Sequence, residues 1–152
     1  MILEVRDLVT AYGLGAVIHG VSFEVEAGEV VCLLGRNGAG KTTTLRSVMG
    51  LTSPRSGRIE FKGENITGRQ PFEAARLGIG YVPDDRRIFP DLTVEENLEI
   101  VRRVIRRDGQ WTMERVYRLF PVLTDLRANH GSGLSGGEQK MLAIGRALMG
   151  NP

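Results

Sequence analysis

Residues 35–42 read Gly-Arg-Asn-Gly-Ala-Gly-Lys-Thr, a spacing suited to holding a chain of phosphates. Gly35, Gly38 and Gly40 let the backbone adopt conformations that side chains resist, so successive N–H groups can line a concave anion nest. Arg36, Asn37, Ala39 and Thr43 complete that backbone lining. A helix opening at Gly40 and Lys41 aims its unsatisfied amides and the positive end of its dipole at the same point. Lys41 is the candidate catalytic group, a mobile charge for β- and γ-phosphate oxygens, and Thr42 offers a hydroxyl to Mg²⁺. A glycine-rich turn that carries Lys and Thr by coincidence is the bland alternative. The apolar run before the loop and the helical pattern after it favour the phosphate reading.

A second glycine-rich element, Leu134-Ser135-Gly136-Gly137-Glu138, precedes another helical pattern. Ser135 and Glu138 have capping-box spacing, which by itself describes an ordinary helix start. Adjacent glycines at the first helical positions destabilise a helix by up to ~1 kcal/mol each, so something approaching the backbone closely explains them better. A helix start with free amides and a serine hydroxyl is a second anion site.

The elements that must position these groups follow from periodicity. Residues 2–5 and 21–25 read as half-buried strands, and 30–34, including Cys32, as a buried parallel strand whose cysteine is a small core residue. Tyr12 falls in a loop between the first strands, either packed on the sheet or stacking on a flat base. Residues 41–49 form a helix closed by Gly50. Residues 58–61 return to the antiparallel layer, Pro71 opens a helix to Leu77, and 79–82 form a second apolar strand. Thr93 and Glu96 cap a helix with Val94, Leu98, Val101 and Ile105 on one stripe. Its other face pairs Glu99 with Arg102 and Arg103; the group Arg102, Arg103, Arg106 and Arg107 reads as a solvated face, with an anion or lipid-headgroup patch as the alternative. Shorter helices are expected over 113–120 and 123–128, then one whose Met141, Ile144 and Leu148 share one face. The expected divisions are 1–82 (antiparallel layer and phosphate-loop core), 83–131 (charged loop and helical subdomain) and 132–152 (second glycine-rich element and its helix).

The totals are those of an ordinary globular domain of 152 residues, 41% hydrophobic and 25% charged. A net charge of +2 gives a nucleic-acid role no support. No apolar run approaches the ~20 residues that span a bilayer, and the start has no secretory pattern. One cysteine excludes an internal disulfide and suits a reducing cytosol.

Taken together, residues 35–42 and 134–138 resemble the nucleotide-binding subunits of ATP-binding-cassette transporters along essentially the whole chain. The wording Tyr81-Val82-Pro83, 86–90, 92–98 and 137–148 is similar to ATPase subunits of branched-chain amino acid importers; importers of urea and short amides read much the same. The resemblance implies an α/β fold, a P-loop NTPase core with an antiparallel β layer and a helical subdomain, incomplete at the C-terminus. It implies ATP and Mg²⁺ as cofactors, with Tyr12 stacking on adenine and Leu134, Ser135, Gly136, Gly137 and Glu138 meeting the γ-phosphate held by a partner subunit. Asp84 occupies the position where the family usually has a glutamine reaching Mg²⁺ and the attacking water. The implied partners are a second ATPase subunit, membrane permease subunits and, indirectly, a substrate-binding protein, with no nucleic acid. The implied location is cytoplasmic, on the inner face of the cell membrane. The family pattern continues past Pro152 with a strand ending in Asp-Glu and a later histidine. Residues 1–152 alone are therefore expected to bind nucleotide without appreciable turnover and to expose an apolar sheet edge that favours aggregation. A non-transport cassette ATPase and an ATP-sensing module are the alternatives from other functional classes.

Overall fold

The computed structural model describes residues 1–13, 15–105 and 109–152. They fall into two compact units, Met1–Ala74 and Ala75–Pro152.

The first unit is built on an antiparallel sheet of order β2-β1-β3-β4, with β1 at Leu3–Tyr12, β2 at Gly15–Val25, β3 at Ser56–Phe61 and β4 at Glu64–Asn65. β1 is flanked on both sides, Leu3 opposing Val25 and Phe61, and Val5 opposing Phe23 and Ile59. A bulge interrupts both ladders after Val5 and Arg6, with Asp7 at φ 46°. The extra residue shifts the inward phase, so the buried positions run Val5, Leu8, Thr10 instead of alternating strictly. Gly57 lies under the bulge at φ 97°, where a β-carbon would come within 2.6 Å of the Asp7 carbonyl. Helix α1, Lys41–Val48, belongs to the same unit. Its Ser47 hydroxyl bonds that of Thr10 at 2.9 Å inside the core, satisfying both buried groups. The first strands are longer than local patterning indicated, because pairing carries them into the turn. Tyr12 is accordingly the last residue of β1, not a loop residue.

Two expected strands do not form. Residues 30–34 and 79–82 carry no ladder, and Val30 and Leu34 are 88% and 91% exposed. Cys32 is exposed as well, not a core residue. A continuous apolar run becomes a buried parallel strand only when neighbouring strands take its backbone bonds and cover both faces. Among the described residues no strand does so for either run.

Helix α2, Pro71–Leu77, matches its expected limits and spans the division between the units. The second unit holds α3 (Val94–Ile105), α4 (Met113–Leu119), α5 (Pro121–Asp125) and α6 (Gly136–Met149). Their common core is Val94, Leu98, Val116, Leu123, Leu134, Leu142 and Met149, so residues before and after 132 share one interior. The last short helix begins at Pro121, earlier than residue 123, because proline suits a first helical turn. On α6 the buried positions are Leu142, Ala143, Gly145 and Met149, and Met141 and Leu148 pack half-buried against the same core. Gly145 marks the closest approach: a β-carbon there would sit 2.9 Å from Val116 Cγ1 and 3.2 Å from Leu98 Cδ2, so α6 is pressed against α3 and α4 along that line. Glu99 pairs with Arg102 and Arg103 as expected. Arg106 and Arg107 lie outside the described residues.

Truncation of Leu142 to alanine is expected to destabilise the helical unit by about 2–5 kcal/mol, since the side chain is fully enclosed; urea unfolding measures it. The Thr93–Glu96 box gives a pH signature. The Thr93 backbone N–H donates to Glu96 Oε2 at 2.8 Å, its hydroxyl to the same oxygen at 3.0 Å, and both hold the carboxylate pKa below its ordinary value. A depressed folded-state pKa contributes stability above the unfolded pKa, lost as pH falls through the folded one. Thr93→Ala should therefore lower the thermal midpoint at pH 7, with the difference from wild type narrowing as the solution is acidified below the ordinary glutamate range.

Candidate functional site

The phosphate loop lies in the first unit. Gly38 and Gly40 have φ 83° and 90°, the left-handed region that glycine occupies without strain. Gly40 is also wedged, because a β-carbon would meet the Val17 carbonyl at 3.2 Å and Ile18 Cγ1 at 3.3 Å. It is the N-cap of α1 and supplies no side-chain acceptor, so the first amides of the helix are not capped from within. The Ala39 N–H bonds the Arg36 carbonyl at 3.1 Å and closes the turn. Lys41 Nζ donates to the carbonyls of Gly35 (2.8 Å) and Arg36 (2.9 Å), which folds the ammonium over the loop. Asn37 and Thr42 are exposed, whereas Thr43 is buried.

Tyr12 stands beside the same helix. Its hydroxyl bonds Thr52 Oγ1 at 3.4 Å, and its ring is 52% exposed. The hydrogen bond to Thr52, with further contributions from Thr43 and the positive Arg46, holds the phenol pKa below its ordinary value. Thr52 and Arg46 had no local signature; only the fold brings them to Tyr12.

The fit to a phosphate ligand is good: amides at an uncapped helix start, a lysine and a hydroxyl. For Mg²⁺ the chain offers the Thr42 hydroxyl here, and no three His, Cys, Asp or Glu side chains gather as a metal site among the described residues. That suits an ion that keeps most of its water and is held chiefly by nucleotide phosphates. Asp84 lies in the second unit, in an exposed turn.

Leu134, Ser135, Gly136, Gly137 and Glu138 come together at the start of α6, also in the second unit. The capping box is closed: the Ser135 N–H donates to Glu138 Oε2 at 2.7 Å, and the Glu138 N–H reaches Ser135 Oγ at 3.4 Å. The second bond is at the outer limit of hydrogen bonding, which leaves the hydroxyl only weakly committed. A β-carbon on Gly137 would meet nothing within 4 Å. At Gly136 it would meet Arg86 Nη2 at 3.2 Å and Nη1 at 3.3 Å, so the neighbour crowding that glycine is a guanidinium of the same unit.

Arg86 belongs to a tight turn in the stretch 84–90, which by sequence reads as a charged loop with an apolar tip. Arg86 and Arg87 have φ 63° and 45°, both left-handed, which disfavours each by ~1–2 kcal/mol. The turn is held by Asp85 Oδ2 on Arg87 Nε (2.7 Å) and by Arg146 Nη1 on the Arg87 carbonyl (2.6 Å). The Arg146 guanidinium also lies 4.4 Å from the Phe89 ring centroid. Fully buried Asn97 accepts from the Phe89 N–H at 2.9 Å, and its amide group donates to the carbonyls of Phe89, Leu92 and Thr93 at 3.0, 3.1 and 2.9 Å. An asparagine between Val94 and Leu98 on an apolar stripe was the available signal for this anchor.

Residues 18–152 match the ABC transporter family. The chain belongs to that family. Among curated ABC proteins it is 44% identical to the high-affinity branched-chain amino acid transport ATP-binding protein BraG of Pseudomonas aeruginosa, over 94% of this chain and 62% of that protein. It is 41% identical to the lipopolysaccharide export system ATP-binding protein LptB of Haemophilus influenzae, over 99% of this chain and 64% of that one. The chain thus spans less than two thirds of the length of these ABC relatives. A solved ATP-binding subunit of an ABC transporter superposes with TM-score 0.87 at 30% identity, covering 100% of this chain and 63% of that one. A dimeric ATP-binding cassette bound to ADP and Pi superposes with TM-score 0.82 at 26% identity, over 99% and 70%. The fold is the α/β P-loop NTPase fold of ABC cassettes, and no helix among the described residues is long and apolar enough to cross a membrane.

The geometry at Tyr12 separates ring from hydroxyl. Tyr12→Phe is expected to leave ATP affinity within about twofold and Tyr12→Ala to weaken it roughly tenfold, in line with stacking worth ~1–3 kcal/mol per base. Titration with a fluorescent ATP analogue measures both.

Proposed function

We propose that the chain is the ATP-binding and ATP-hydrolysing part of an ABC importer, with branched-chain amino acids as cargo. The observation that carries the nucleotide reading is the uncapped, glycine-led start of α1 with Lys41 folded over it. In this reading the amides of residues 38–42 and Lys41 Nζ bind the β- and γ-phosphates, Lys41 exchanging the Gly35 and Arg36 carbonyls for phosphate oxygens. Tyr12 receives the adenine face. Thr42 would hold Mg²⁺, which when bound supplies countercharge to the phosphate oxygens. The residues hold the triphosphate in place and stabilise its charge without forming a covalent bond to it.

The helix start at 134–138 serves a second subunit. Its weakly held Ser135 hydroxyl and the open flank of Gly137 are suited to the γ-phosphate of a nucleotide bound by the partner's phosphate loop. The dimeric neighbour bound to ADP and Pi supports an arrangement of paired cassettes. Membrane permease subunits, and through them a substrate-binding protein, are the further partners, with the cassette peripheral to the inner face of the membrane. The cargo assignment rests on BraG; LptB, almost as similar, is named for lipopolysaccharide export. The common ground of these relatives is the ATP-binding subunit, and importers of urea or short amides are the alternative cargo class.

The test uses the natural full-length protein. Lys41→Ala should weaken ATP binding at least tenfold. Ser135→Arg should leave binding to the single subunit within about twofold while abolishing ATP-driven pairing in sedimentation velocity. Unchanged ATP affinity in Lys41→Ala would overturn the nucleotide assignment.

A further inference from the structure

The crowding of Gly136 has a cause within the second unit. Arg86 Nη1 donates to Gln139 Oε1 at 2.8 Å, while Gln139 Nε2 donates to the carbonyls of Leu134 (3.1 Å) and Gly131 (3.4 Å). The Gln139 amide therefore holds Arg86 with one end and the residue before the N-cap with the other. The Arg86 guanidinium fills the space where a β-carbon of Gly136 would stand. A left-handed pair at 86 and 87 aims the side chain there, and the Arg146 bond to the Arg87 carbonyl keeps the turn in place.

The charge balance points the same way. A guanidinium at a helix N-terminus opposes the helix dipole. Glu138, in the capping box of the same turn, offsets part of that positive charge, and an arriving phosphate would offset more. The cluster is thus poised toward an anion, and its backbone is fixed before the anion arrives.

We propose that Arg86 is a positioning residue that presets the 134–137 backbone for the γ-phosphate of the partner's nucleotide, and that residue 136 is glycine because the guanidinium packs on its α-carbon. This rests on the reading of 134–138 as a nucleotide contact. Arg86 acts through Gln139 and Gly136 and touches no reacting atom. It also makes the turn at 84–87 and the start of α6 one mechanical piece, so a displacement of the turn is delivered to Ser135.

The experiment compares two readouts in the natural full-length protein: affinity of the single subunit for a fluorescent ATP analogue, and the ATP concentration that half-saturates pairing in sedimentation velocity. Arg86→Ala is expected to leave the first within about twofold and to raise the second about tenfold, the factor typical of one lost hydrogen bond to a charged group. Arg86→Met, which keeps the apolar stem and guards against a packing defect, should do the same, and Arg86→Lys should recover part of the loss. Gly136→Ala should weaken pairing in wild type and much less in the Arg86→Ala background, where no guanidinium needs to move. Wild-type pairing by both Arg86→Ala and Arg86→Met, with Ser135→Arg defective, would overturn the inference alone. An equal effect of Gly136→Ala in both backgrounds would overturn the packing role of Arg86. If Ser135→Arg also pairs normally, the reading of 134–138 fails and the inference with it.

Discussion

An α-helix leaves its first amide hydrogens without acceptors in the helix, and this chain resolves that constraint in opposite ways at its two glycine-rich starts. At α1 the cap is Gly40, with no side chain to give, and Lys41 covers loop carbonyls in place of amides. No side-chain cap stands between this helix start and an anion. At α6 Ser135 and Glu138 close a capping box, but the serine oxygen is engaged only at 3.4 Å. The first start has no side-chain cap of its own. The second is a stable helix end whose hydroxyl is released at little expense, which suits a contact made only in part of a cycle.

What surrounds each start follows from that difference. Gly40 must be packed as well as turned, because an uncapped helix end has nothing local to fix its direction; the Val17 carbonyl and Ile18 fix it from β2. The Thr10–Ser47 bond then ties the helix to β1 about two turns past the loop. The α6 start is oriented instead by side chains, with Gln139 reaching back to Leu134 and Arg86 bearing on Gly136. Backbone packing gives a rigid cradle, whereas a side-chain brace gives a cap that can be adjusted from the turn at residues 84–87.

Features ruled by neighbouring residues were legible in the sequence. Pro71 and Leu77 bound a helix, Thr93 meets Glu96, Ser135 meets Glu138, and the phosphate-loop glycines turn where their spacing required. The misreadings share the opposite property. The apolar runs at 30–34 and 79–82 have the composition of buried strands, but burial belongs to the pairing partner, which no alternation or run length encodes. Tyr12 entered a strand because β2 pairs across to Gly15. Arg86 was invisible for the same reason: a charged loop residue gains its meaning from a glutamine on another element.

The loop at 84–93 shows why such a residue has structural weight despite its surface setting. Two left-handed residues in succession persist only where the surroundings over-determine them. Here the turn is fixed by Asp85 and Arg146, and the segment after it by buried Asn97, which accepts from the Phe89 N–H, and by the Gly131 and Ser132 N–H groups on the Leu92 and Pro90 carbonyls. Asn97 ties Phe89 and Leu92 to α3 through one side chain, and the Gly131 N–H holds the Leu92 carbonyl independently at 2.9 Å. The segment is therefore a bracket and not a hinge. Its exposed tip at Phe89 and its inner end at Arg86 belong to one hydrogen-bonded body with α6, and in such a body a push at the tip moves the helix start without bending the loop.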